Sequence, residues 1–329
     1  MSATTFIYKT VNGVDYKLDV HLPDERTFGA ESGKTLPILI HFHGGGLVFG
    51  THPMRDSASH PHWLTDSGLE AGFVVLSPDY TLLRPHTAHE MVKDVKDLFQ
   101  WISGNLSNKI KSHVIDAERI VVSGSSAGGY LAYLASIHAS PKPKAFVSLY
   151  SLGGNLLLDN YVVPKTKAFI TGAPFITDPS PYLPLINTKY DAGAPPTVAV
   201  PYNDSSNPRL MYYCWVLQSA TMLEVITGVS GISAKLAALP LDDRAEAVPK
   251  EARSLFPSLA SPSSFPPTLF IHGSDDTSIS IKESQTAHEL LKKGGIETEF
   301  VETSGGEHGY FEHPGLQKVV PFMLKYANV

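Results

Sequence analysis

Gly124-x-Ser126-x-Gly128 is the stretch of this chain best suited to do chemistry. It follows the apolar, β-branched run Ile120-Val121-Val122 and precedes the apolar Tyr130-Leu131-Ala132, so a buried strand must turn sharply into a helix at Ser126. Such a turn leaves little room beside the serine, and glycine two residues before and two after removes the Cβ clashes. The serine is then presented at the top of a sheet, near a helix N-terminus whose N–H groups favour negative charge. A nucleophile whose reaction develops an oxyanion belongs there. Taken alone, the pattern also fits an ordinary strand-to-helix turn, so the rest of the chain must supply a base, a carboxylate and oxyanion donors.

His43-Gly44-Gly45-Gly46 follows a dense apolar strand at residues 36–42. Its glycines expose backbone N–H groups, and those of Gly45 and Gly46, with that of Ala127, are able to converge on one oxygen, as acyl transfer requires. A phosphate loop is disfavoured, because neither Gly-Lys-Ser/Thr nor Gly-x-Gly-x-x-Gly spacing is present. His43 itself reads as structural. Two carboxylates, Asp275 and Asp276, follow the strand at residues 267–273. Asp276 is preferred as the acid because it lies just beyond a strand tip, on the approach to the next helix; Asp275 is the alternative, with a turn or capping role otherwise. Among 14 histidines, His308 is the best base: it follows the last strand and sits between Gly305-Gly306 and Gly309, in a loop from which an imidazole can project. The order Ser126, Asp276, His308, each after an expected strand, is that of the α/β-hydrolase triad and is far more specific than any single motif.

The elements that must position these residues alternate along the chain. Strands are expected at residues 5–9 and 14–21, joined by an Asn12-Gly13 hairpin turn, and then at 36–42, 72–77, from Ile120, at 145–150, 267–273 and 297–301. Helices are expected at residues 88–105, after Ser126, at 281–293 and at 316–326. Buried apolar strands alternating with helices indicate a mainly parallel sheet covered on both faces. From residue 151 to 265 the texture changes to prolines and scattered aromatics, with helices expected at 209–227 and 232–239. This region reads as an insertion packed over the sheet, against the alternative of ordinary connecting helices.

The chain has 329 residues, enough for one large domain or a core with an insertion. A hydrophobic content of 43% with 18% charged residues excludes a disordered chain. The net charge of -6 offers no basic footprint for nucleic acid or a membrane surface. Neither a signal-peptide pattern nor an apolar run of membrane-spanning length is visible, so a cytoplasmic protein is expected. The only cysteine, Cys214, lies in an apolar helical stretch and reads as buried packing. The oligomeric state is left open between monomer and homodimer.

With these motifs in hand, the chain resembles an α/β-hydrolase of the hormone-sensitive-lipase-like esterase group, the fold-3 family. His43-Gly44-Gly45-Gly46 matches its HGGG oxyanion motif and Gly124-Ser125-Ser126-Ala127-Gly128-Gly129 its GDSAGG elbow. Asp79-Tyr80-Thr81-Leu82-Leu83-Arg84-Pro85 resembles its DYRLAPE signature, and His272-Gly273-x-x-Asp276 and His308-Gly309 match its acid and base segments. The likeness runs from about residue 36 to the end, is weakest between 151 and 265, and in the Asp79 stretch is similar to fungal members. Ser125 departs from the elbow's usual aspartate, which changes a supporting contact rather than the chemistry. Thr81, Arg84 and His86 depart from the signature around Asp79.

The resemblance implies an α/β-hydrolase fold with about eight strands, a core of residues 1–150 and 266–329, and a helical cap at 151–265. It implies a serine hydrolase acting on carboxylic esters or lactones of small to medium size, apolar or aromatic, through an acyl-enzyme. Ser126, Asp276 and His308 are then catalytic, Gly45, Gly46 and Ala127 form the oxyanion hole, and no metal or organic cofactor is needed. A lactonase or acyltransferase step in natural-product metabolism is the alternative. A secreted interfacial lipase, a peptidase and a non-catalytic receptor on this fold are weaker readings.

Overall fold

The structure is a computed structural model that describes residues 3–53, 61–309 and 314–327. Its strands are β1 (Thr4–Val11), β2 (Val14–His21), β3 (Thr35–Phe42), β4 (Val74–Pro78), β5 (Val114–Ser125), β6 (Ala145–Leu149), β7 (Thr268–Gly273) and β8 (Thr298–Thr303). They form one sheet in the order β1-β2-β4-β3-β5-β6-β7-β8. β1 and β2 form a hairpin whose turn, Asn12-Gly13, has φ of 50° and 79°, the left-handed pair that this dipeptide favours. β2 runs antiparallel to β4, and all remaining pairs are parallel.

The parallel strands are apolar on both faces because both faces are covered. Ile38, Ile40, Leu76, Ile120, Val122, Phe146 and Phe270 point into one core, shared with helices α2 (Ala88–Trp101) and α3 (Gly128–His138). Their neighbours Leu39, Val75, Val121, Val147, Leu269 and Ile271 enter the opposite core, with residues of α1 (His62–Glu70) and, at the C-terminus, Val319–Ala327. Ile120, Val121 and Val122 are wholly buried, each side chain contributing roughly 1.5–3 kcal/mol of transfer free energy.

Between β6 and β7 lie α4 (Arg209–Gln218), α5 (Met222–Thr227) and α6 (Ile232–Ala237); α7 (Ile281–Lys293) joins β7 to β8 and α8 is Val319–Ala327. Leu157, Tyr161, Leu223, Ile226 and Leu236 belong to the same core as α2 and α3, so much of the 151–265 region packs continuously with the sheet's helical layer. Two isolated bridges, Leu82 with Thr197 and Gly50 with Val200, tie this region to the loops after β4 and β3. Among the described residues no helix is long and apolar enough to cross a membrane.

Four sequence expectations are revised. The α1 helix was not expected: Ser67 and Gly68 interrupt its apolar pattern, yet Gly68 lets the helix lie on Leu39 and Val75, where a Cβ would stand 3.2 and 3.3 Å from their methyls. β5 begins at Val114 rather than Ile120, its first half disguised by Asp116, Glu118 and Arg119 but paired through Val114 and Ile115 with Thr35 and Leu36. The helix expected at 209–227 is two, broken where Ala220 takes φ 53°. The final helix begins as a 3-10 turn at Pro314–Lys318.

The topology decides where a site forms. The chain leaves β3 toward β4 on one side and leaves β5 toward β6 on the other, so a crevice opens beyond the carboxyl ends of β3 and β5. The glycine loop follows β3 and Ser126 follows β5. The two meet because α3 is seated directly on β3: a Cβ on Gly128 would stand 2.0 Å from the Phe42 carbonyl oxygen, and one on Gly124 2.2 Å from that of Gly128. Backbone cannot yield as a side chain can. Gly128→Ala is therefore expected to lose about 2 kcal/mol or more in urea melts. Gly104→Ala, with open space around it, should be neutral or raise stability by up to about 1 kcal/mol.

Candidate active site

Ser126 sits at the turn between β5 and α3 with φ 54°, a left-handed conformation unusual for a non-glycine residue. Its backbone holds that turn: its N–H donates to Leu149 and its carbonyl accepts from Gly129 and Leu152. The side chain is left to face a cavity of about 430 Å³ lined by Gly44, Gly45, Gly46, Phe49, Tyr150, Tyr202, Tyr213 and His308. Ser126 Oγ lies 2.9 Å from His308 Nε2, and His308 Nδ1 lies 2.8 Å from Asp276 Oδ2. The loops after β5, β7 and β8 thus bring Ser126, Asp276 and His308 into one hydrogen-bonded row. Asp275 is not part of it: its carboxylate accepts from Ser274 Oγ, and its backbone N–H donates to the Gly306 carbonyl.

Asp276 is almost surrounded by donors. Oδ1 accepts from the N–H groups of Ser278 and Ile279, at 2.9 and 2.8 Å. Oδ2 faces His308 and, at 3.3 Å, His272 Nε2. Burial opposes ionisation, but the bonds from His272 and His308 outweigh it and hold the carboxyl well below the usual carboxylate range. His272 is oriented in turn by Ser284 Oγ on Nδ1 and the Ile279 carbonyl at Nε2. An ionised Asp276 keeps the His308 Nδ1 proton in place, leaving Nε2 to accept one from Ser126. The ring of Tyr150 meets His308 edge-on at 5.1 Å.

The glycine loop turns back on itself through Gly45 at φ 106° and Gly46 at φ 59°. A Cβ on Gly45 would stand 2.1 Å from the Phe49 carbonyl oxygen, so both conformation and space demand glycine there. Gly45 and Gly46 border the cavity beside Ser126, and Ala127 is the N-cap of α3. His43 holds the loop: Nδ1–H donates to the Gly44 carbonyl at 2.8 Å, and the ring stacks on Tyr80 at 4.3 Å. Burial pushes its imidazole down to about 4, against the raising effect of the Gly44 bond, so it stays neutral at pH 7. Asp79 fastens the loop's far end, accepting from His52 and Lys17 N–H groups at 2.9 and 3.2 Å. Ser125 Oγ contacts His41 Nε2 at 3.4 Å.

Sequence reading overlooked two charged residues that build this site. Arg209, at the head of α4, spends its guanidinium on the carbonyls of Val48, Leu83 and Arg84 and on Thr197 Oγ1, which joins the 151–265 region to the loops after β3 and β4. A lone cation heading an apolar helix was the available signal. Glu283, in the first turn of α7, is fully buried and accepts from the Tyr161 hydroxyl and, at 2.8 Å, from Gly153 N–H. It looked like an ordinary acidic first-turn residue. Cys214 is buried, and burial pushes its thiol up.

Burial drives the Glu283 carboxyl from 4.5 up to about 8, against the lowering effect of its Tyr161 and backbone bonds. The folded protein then holds a proton that the unfolded chain releases, so this group makes stability fall as pH rises between those two values. Asp276 acts oppositely, its contribution being lost only as pH drops below its ordinary 3.8. Melting temperatures recorded from pH 5 to 8 should decline in the parent more steeply than in Glu283→Gln. An unchanged slope in the variant would assign the decline to other groups.

Residues 18–156 match the family described as BD-FAE. The probable carboxylesterase M8 of Phoma sp. is 29% identical over 166 residues, 49% of this chain and 51% of that protein. The non-reducing polyketide synthase ausA of Aspergillus calidoustus is 26% identical over 325 residues, 90% of this chain but 12% of the synthase. This chain thus spans about half, or less, of the length of these curated relatives. A propionate-bound structure of the esterase Est2 from Thermogutta terrifontis superposes with a TM-score of 0.57 at 17% identity, covering 98% of this chain and 93% of the other, a likeness of fold. The parallel sheet, the motifs in their chain order and these matches show an α/β-hydrolase fold in a chain similar, over part of its length, to carboxylesterases.

Proposed function

We propose that the protein is a serine hydrolase that cleaves carboxylic esters through an acyl-enzyme. The observation that carries this reading is the row Ser126–His308–Asp276, with contacts of 2.9 and 2.8 Å, opening onto a glycine-loop cavity. Ser126 Oγ attacks the ester carbonyl while His308 Nε2 takes its proton. The N–H groups of Gly45, Gly46 and Ala127 stabilise the tetrahedral oxyanion, each donor worth roughly 2.7–4 kcal/mol of barrier. Collapse expels the alcohol, which leaves with the proton from His308. Water, deprotonated by the same imidazole, then releases the acid and restores Ser126. Asp276 remains ionised throughout and steadies the imidazolium.

The cavity is of ligand size, and beyond the glycines its walls carry the rings of Phe49, Tyr150, Tyr202 and Tyr213. Small to medium apolar or aromatic esters and lactones fit that lining. In this reading residues 151–265 act as a cap that selects substrate, since Tyr202 and Tyr213 come from it. One observation favours a second reading, acyl transfer or lactone opening in natural-product assembly: the similarity to the polyketide synthase spans 90% of this chain, whereas the match to the carboxylesterase M8 spans 49%.

A fluorophosphonate should label Ser126, located by peptide mass spectrometry, and Ser126→Ala should abolish both labelling and p-nitrophenyl ester hydrolysis. Adducts elsewhere, or parental turnover by the variant, would remove the mechanism. Asp276→Asn should lower kcat by about 10⁴, as loss of the correct imidazole tautomer does in other serine hydrolases, with Asp275→Asn within a few-fold of the parent. The reverse ranking would reassign the acid. Aryl esters, lactones and thioesters offered with and without an acceptor alcohol separate hydrolysis from acyl transfer.

A further inference from the structure

Glu307 immediately precedes His308, and Thr277 immediately follows Asp276. One carboxylate spans the two. Glu307 Oε2 accepts from the N–H and the hydroxyl of Thr277, at 3.3 and 3.2 Å. Oε1 accepts at 2.7 Å from the hydroxyl of Thr171, which belongs to the region between β6 and β7. Thr171 reaches the acid loop directly as well, its N–H donating to Thr277 Oγ1 at 2.9 Å. The bonds from Thr171 and Thr277 hold the Glu307 carboxyl below its usual range, so it is ionised at pH 7 and can only accept.

We propose that Glu307 is a positioning residue, a clasp that sets the acid and base loops against each other and makes their spacing depend on the docking of the Thr171 segment. This rests on the serine-hydrolase reading above. The loops need such a clasp. The base loop is rich in glycine, at Gly305, Gly306 and Gly309, and apart from the His308–Asp276 contact itself its other bonds to the acid loop run through Ser274 and Asp275, on the strand side of Asp276. Glu307 closes the side next to the imidazole. Docking of the Thr171 segment on Thr277 and Glu307 thereby steadies the 2.8 Å contact between His308 and Asp276.

The test compares the parent with Glu307→Ala, Thr171→Val and the double variant, using p-nitrophenyl butyrate turnover, the rate of fluorophosphonate labelling at Ser126 and the melting temperature. Glu307→Ala is expected to lower kcat and the labelling rate about tenfold with KM within about twofold, the signature of misplaced catalytic groups. Thr171→Val, which removes only the hydroxyl, should lower kcat by a few-fold alone and add nothing in the Glu307→Ala background. Glu307→Gln, equal in length but facing the hydroxyl donors with an amide, should fall between parent and Glu307→Ala. Parental kcat in Glu307→Ala, independent multiplicative effects of the two substitutions, or losses that only track the melting temperature would each overturn the clasp. A parent protein that neither takes the label nor turns over the ester would instead overturn the serine-hydrolase reading.

Discussion

The seat of α3 on β3 is the contact on which the remaining site geometry depends. With glycine at 124 and 128, the helix backbone comes down onto the Phe42 carbonyl, at a distance no side chain would tolerate. That approach forces the chain through a left-handed turn at Ser126 and points its hydroxyl away from the sheet. It also brings the loop after β3 alongside, since Phe42 ends β3 and only His43 separates it from the glycines. Ser126 and the glycine loop are therefore neighbours by packing, before any polar contact is considered.

Two carboxylates on neighbouring turns show how surroundings set charge. Asp276 and Glu283 are both buried, yet one is held ionised and the other protonated. Asp276 faces two imidazoles and two N–H groups, enough to overcome burial. Glu283 meets a phenol and backbone donors, which do not. The ionised group faces the His308 imidazole. The neutral one fastens α7 to Gly153 and Tyr161, on the segment that follows β6.

Much of the frame was legible in the chain, because the signals were local. β3, β6 and β7 are dense apolar runs, and the Asn12-Gly13 turn and the glycine-flanked serine are short-range steric statements. What escaped reading was masked by composition. α1 was hidden by the glycine that lets it pack, and the first half of β5 by charged residues whose backbone still pairs with β3. Arg209 and Glu283 carried no motif, since their partners lie 12 to 161 and 122 to 130 residues away in the chain.

The amino-acid sequence by itself determined the alternation of strands and helices, the turn at Ser126 and the order of serine, carboxylate and histidine, because each follows from neighbours a few residues apart. It left Asp275 and Asp276 as rivals, two adjacent carboxylates on one loop. Only the tertiary structure separated them, since the choice depends on where the loop after β8 sets His308. It alone also decided that Arg209 binds the loops after β3 and β4, that Glu283 is shut away from water, and that Glu307 bridges three segments. Those are meetings between distant parts of the chain, fixed by how its layers pack.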